Sequence, residues 1–129
     1  MNKFTFELVS PERVLVSECS EHVILPGIAG ELGVLYGHLP CVVMLKPGIV
    51  SMLLGGSISG RFYIRGGLAD VRPNDTTVLA EYALNIQNVS KEIFTKELSL
   101  AEHALAKASD EEAYFSAQSS LDALRSVNL

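Results

Sequence analysis

The chain has 129 residues, 48% of them hydrophobic and 19% charged, with a formal net charge of −5. That is enough chain for one well-buried core, or for one core plus a small appendage, and too apolar to remain disordered. The acidic balance excludes nucleic acid as a partner and disfavours polybasic attachment to an anionic membrane, since both need clustered Lys and Arg.

The N-terminus, Met1 to Glu7, has no basic stretch followed by an apolar one, so no signal peptide is expected. It is not the Arg-rich, acid-poor leader of an organellar precursor either. The longest apolar run, Cys41 to Leu45, falls far short of the ~20 residues of a membrane span. Cys19 and Cys41 lack metal-ligand spacing and are expected to be buried or half-buried thiols. The expectation is a soluble protein in a reducing cytoplasm.

Glycine and proline divide the chain. All ten glycines lie between Gly27 and Gly67, and all five prolines at or before Pro73. Both residues punctuate turns and are kept out of helix interiors, so a β-rich first part and a helical last part follow.

Phe4, Phe6 and Leu8 alternate with Thr5 and Glu7, which is strand patterning with one apolar face. Ser10 to Arg13 is a turn, and Val14 to Val16 resume the strand pattern. His22 to Leu25 is a short run closed by Pro26-Gly27. The stretch Leu25 to Pro40 then carries Gly27, Gly30, Gly33 and Gly37 in a mostly apolar run, with Glu31 and His38 set among the turns. Glycine and proline specify that backbone tightly, so the segment reads as a rigid docking surface, not a catalytic pocket. Val42 to Leu45 reads as a strand buried on both faces, ended by Pro47-Gly48. Ile49 to Leu54 leads into Gly55-Gly56, a two-residue hairpin signal. Arg61 to Arg65, Leu68 to Val71 and Thr76 to Ala80 complete the strands. Many short strands with frequent turns indicate a sandwich or flattened barrel.

From Ser90 the period changes. Phe94, Leu98, Ala101, Leu105 and Ala108 form one helical stripe, with Ser90 as N-cap. Ser109-Asp-Glu-Glu112 is a capping-box pattern opening a second helix, on which Tyr114, Ala117, Leu121 and Leu124 form the stripe. The connection near Ala108 is short, so the helices are antiparallel neighbours. Their alanine-rich stripes bury little area, so the hairpin must lean on the sandwich or on a partner.

The string Gly27 to Gly33 opens no helix and so lacks the dipole of a phosphate loop. No two of His22, His38 and His103 are close in sequence, which argues against a metal centre. Glu111 and Glu112 read as helix-capping groups with no partner for acid–base work.

Taken in order, Phe6 to Arg13, Leu25-Pro-Gly27, Gly30 to Leu35, Gly37-His-Leu-Pro40, Leu45 to Gly48, Gly66 to Val71 and Thr77 to Glu81 resemble the epsilon subunit of F-type ATP synthases. The likeness runs through the whole chain. It implies a ten-stranded flattened β-sandwich over residues 1–85 and an antiparallel two-helix hairpin over residues 86–129. It implies a non-catalytic rotor component that binds the gamma subunit, stands on the ring of c subunits, and transmits proton-driven rotation to the alpha and beta subunits. The chain would then sit peripherally on the cytoplasmic face of the bacterial inner membrane, with no cofactor. By the same resemblance Gly30, Glu31 and Leu32 face the c-ring, while Ser10, His38, Pro40, Val42 and Val43 lie toward gamma. On the residues alone these glycines could merely shape the sandwich, and Glu31 could simply be solvated.

The chain departs from the family in its helices. Relatives that bind ATP carry Ile or Leu, Asp, two variable residues, Arg and Ala at the start of the first helix. Here Val89 to Phe94 has Ser90 at the Asp position and Ile93-Phe94 at the Arg-Ala pair. No useful ATP binding is expected. From Ser90 onward three lysines and one arginine face seven carboxylates. In relatives an extended, basic second helix meets an acidic beta segment, so weak or absent inhibition of hydrolysis is expected here. Contact with alpha and beta subunits through the hairpin would be transient. The competing readings are a stand-alone regulatory or ligand-binding sandwich and a small jelly-roll metal enzyme.

Overall fold

A computed structural model describes residues 2–127. Ten strands and two helices follow in chain order: β1 Phe4–Val9, β2 Val14–Ser20, β3 His22–Gly27, β4 Gly30–Leu35, β5 Cys41–Leu45, β6 Gly48–Leu54, β7 Ser57–Ile64, β8 Gly67–Val71, β9 Asp75–Ala80, β10 Ala83–Asn85, α1 Lys91–Ala106 and α2 Glu111–Arg125. The pairing path runs β10-β7-β6-β3-β5-β8-β9-β1-β2, with β4 on β3. All pairs are antiparallel except β1 with β9. The path is weakest between β3 and β5, which share only Gly27↔Leu45. There it bends, and the two halves close face to face on a core of Phe6, Leu8, Val23, Leu25, Val50, Met52, Val71 and Val78. The expected ten-stranded sandwich with a helical hairpin is the observed fold.

The hairpin covers the outer face of the half containing β6 and β7. Tyr63 and Ile86 pack with Ala101, Leu121 and Leu124, and Ile49, Leu84, Phe94, Leu98 and Leu105 complete that cluster. The two helices lie against each other, and α2 lies against β6. Ser90 caps α1, its Oγ accepting from the Ile93 N–H at 3.2 Å. Gly55 and Gly56 make the β6–β7 turn with φ of +64° and +78°.

Six expectations are corrected. β5 is not buried on both faces: Val42 is 66% and Met44 59% exposed. Its apolar run looked two-sided because alternation cannot show in a strand with no polar residue; the helices cover the other half of the sandwich, so this outer face stays open. β3 does not stop at Leu25 but runs through Pro26. It pairs with β6 up to Ile24 and with β5 at Gly27, so the missing proline N–H falls in the changeover. The cap of α2 is Asp110, one residue later than Ser109; its carboxylate accepts from the Ala113 N–H at 2.7 Å. Tyr114 continues the α2 stripe yet is exposed, because at this end of α2 it is Phe115 that turns toward the sandwich, its ring 5.9 Å from the Lys46 Nζ; Ala108 lies beyond the end of α1. Cys19 is exposed, on an edge strand paired only with β1, while Cys41 is half-buried. The three-residue β10 is too short to have registered as a pattern.

Candidate docking surfaces

The uncovered sheet face is built by register. Met44 lies opposite Leu68, Leu68 opposite Leu79, and Leu79 opposite Val9, so these four form one row across β5, β8, β9 and β1. Val42, Asp70, Thr77 and Glu7 form the row two residues along. Alternation of strand side chains puts both rows on the same outer face. Leu79, 48% exposed, joins Val42 and Met44 as an open apolar centre. Asp70 is tied to Arg72 at 2.9 Å, so it is a paired charge beside that centre.

The loop before β5 frames one end. Tyr36 is 48% and Leu39 80% exposed. The loop is held by the β8–β9 turn and by its own bonds: Gly37 N–H donates to the Pro73 carbonyl at 2.8 Å, His38 N–H to the Leu35 carbonyl at 3.1 Å, and the His38 Nδ1 to the Leu39 carbonyl at 2.7 Å. Pro40 is exposed. At the other end stands the β1–β2 turn, where Ser10 N–H donates to the Arg13 carbonyl at 2.9 Å.

The β3–β4 hairpin tip is Ile28-Ala29, between the paired Gly27 and Gly30. Gly30 has φ of +136°, which a side chain would resist, so glycine is required for the chain to turn back here. Ile28 is 53% exposed and its N–H donates to the Met44 carbonyl at 3.0 Å, which fixes the tip against β5. Glu31 is exposed, opposite Pro26, and takes part in none of the ion pairs among the described residues.

Within the two predicted groups, two side chains turn inward. Leu32 and Val43 both pack against the core, so Gly30 with Glu31, and Val42, are the outward members. Ser10 and His38 do not meet. β1–β9–β8–β5 register places Ser10 level with the Leu45 end of β5, and His38 precedes its Cys41 end. About 13 Å of strand separates those ends at ~3.3 Å per residue. Ser10 and His38 therefore bracket a face, and the Glu31 tip lies at its Leu45 end. Ile28, Leu39, Met44 and Leu79 belong to these surfaces and were missed by sequence reasoning. An apolar residue inside a tight turn, as at Ile28, was the available signal.

Among the described residues no group of three His, Cys, Asp or Glu side chains is placed to hold a metal ion. Among the described residues no helix is long and apolar enough to cross a membrane.

A flattened ten-stranded sandwich with a helical hairpin on one sheet face defines a β-sandwich-plus-hairpin class of protein. The family model for the β-sandwich domain of the ATP synthase delta/epsilon chain matches residues 3–86. The ATP synthase epsilon chain of Parvibaculum lavamentivorans is 36% identical over 125 residues, covering 97% of this chain and 95% of that one. That of Hyphomonas neptunium is 46% identical over 100 residues, covering 78% and 74%. This chain belongs to the ATP synthase epsilon chain family, as a non-catalytic subunit. Its fold is similar to a chain of the Euglena gracilis mitochondrial ATP synthase assembly of OSCP, F1 and c-ring, with a TM-score of 0.69 at 23% identity, covering 95% of this chain and 78% of that one. A chain of the central stalk and c-ring of the Tetrahymena thermophila mitochondrial ATP synthase gives a TM-score of 0.68 at 15% identity, covering 97% and 96%.

Proposed function

We propose that this chain is a rotor subunit of a proton-transporting F-type ATP synthase. The outer face around Val42, Met44 and Leu79 docks on a gamma-like coiled coil, and the hairpin tip at Gly30 and Glu31 meets polar loops of the c-ring. The observation that carries the reading is the bare apolar row on a sheet whose opposite half already holds the helices. Burying such a row against a partner removes apolar surface from water without rearranging the sandwich. Torque transmission favours this construction, because a sheet face framed by internally bonded turns resists shear better than a mobile loop. The subunit then works on the cytoplasmic face of the bacterial inner membrane, attached through its partners, with only transient contact to alpha and beta subunits. The ATP motif's departures at Ser90, Ile93 and Phe94 and the acidic hairpin support a weakened regulatory role.

The test is recovery of the assembled complex from membranes carrying a Val42→Asp/Met44→Asp chain. The expected result is loss of this chain from the complex, with the sandwich still folded. Retention at the native level would refute the docking face. Removing residues 90–129 is expected to leave ATP hydrolysis nearly unchanged; a several-fold rise would refute weakened inhibition.

A further inference from the structure

The two helices of the hairpin are held by different forces. α2 buries Ala117, Leu121 and Leu124, and packs on β6. α1 has only two buried residues, Ala101 and Glu97. The Glu97 side chain is 6% exposed, and both its oxygens accept from Arg65: Oε1 from Nε at 2.7 Å and Oε2 from an Nη at 2.8 Å. Arg65 follows β7 directly and is fixed in turn. Its N–H donates to the Tyr82 carbonyl at 3.1 Å, and its guanidinium lies 3.9 Å from the Tyr82 ring centre. A two-pronged, stacked arginine is a geometrically demanding partner that lysine does not reproduce.

We propose that the Arg65–Glu97 pair is an electrostatic latch that holds α1 on the sandwich, and that opening it frees α1 while α2 stays docked. The physical reason is asymmetry. α2 is anchored by apolar burial, which salt and charge changes barely touch. α1 lies mainly along α2, adds only half-buried Phe94, Leu98 and Leu105 to the cluster around Tyr63 and Ile86, and makes its buried polar contact with the sandwich through a carboxylate that is costly to bury once its arginine is gone. The rim side of the pair is open, since the Arg65 side chain is 40% exposed, so salt weakens the latch. This inference goes beyond the docking of the outer face and does not depend on it.

Hydrogen exchange on the full-length chain, read peptide by peptide, tests it. In Arg65→Ala the amides of residues 95–106 are expected to exchange about tenfold faster or more. Those of residues 117–125 and of the strands should stay near native rates, which also reports that the sandwich is folded. Arg65→Lys should show the same selective loss in weaker form. In Arg65→Leu/Glu97→Leu, protection of α1 should return, because no charge is left buried alone. Unchanged exchange of α1 in Arg65→Ala would overturn the latch. Equal acceleration of α1 and α2 would overturn it too, because the hairpin would then open as one unit.

Discussion

The carbonyl oxygen of Leu79 occupies the space that a side chain on Gly67 would need. Gly67 begins β8 with φ of +148°, and β9 crosses directly over its missing side chain. Gly67→Ala is therefore expected to cost about 3 kcal/mol or more, through backbone strain and separation of β8 from β9. Gly55→Ala has open space around it and should cost only the left-handed backbone penalty, about 1–2 kcal/mol. Urea unfolding of both variants checks the difference; equal losses would mean that backbone conformation alone matters.

Val42 and Val43 are neighbours with opposite duties. Val42→Asp should change stability by no more than about 1 kcal/mol, since its side chain already meets water. Val43→Asp turns a carboxylate toward the core and should cost about 2 kcal/mol or more. Thermal melts of the isolated chain separate the two. Similar melting would show that β5 does not alternate as described.

Asp110, not Ser109, accepts from the first turn of α2. Asp110→Ala should destabilise α2 by about 1 kcal/mol and Ser109→Ala hardly at all. Exchange of the α2 amides is the measurement, and the reverse order would move the cap back by one residue.

Burial raises the pKa of the Tyr63 phenol above its ordinary value of 10.0, against a smaller lowering by the Ser120 hydroxyl. Burial, with Glu97 nearby, raises that of Tyr82 as well. The folded chain thus keeps these protons where the unfolded chain has lost them. The stability they contribute is complete below about pH 10 and is lost as pH rises through the folded values. Alkaline unfolding should set in above pH 10, and Tyr63→Phe should soften that dependence. A denaturation series from pH 8 to 11 that stays flat would contradict it.

Much of the architecture was readable locally. Phe4, Phe6 and Leu8 announced a one-sided strand, Gly55-Gly56 a hairpin, and Ser90 a helix start, because each depends on neighbours a few residues away. The corrected expectations share a cause. Whether Val42 is covered depends on which half of the sandwich receives the helices, and whether Tyr114 is buried depends on which side of α2 is turned to the sheet.

The order of motifs from Phe6 to Glu81 by itself determined the family and its sandwich-plus-hairpin plan, because turn chemistry and hydrophobic period are written into adjacent residues. Tertiary structure alone decided which side chains of the predicted surfaces face outward, set Ser10 and His38 at opposite ends of one face, and brought Glu97 onto Arg65 across 32 positions. Such relations arise only when strand register and helix docking are complete, so no local spacing could reveal them.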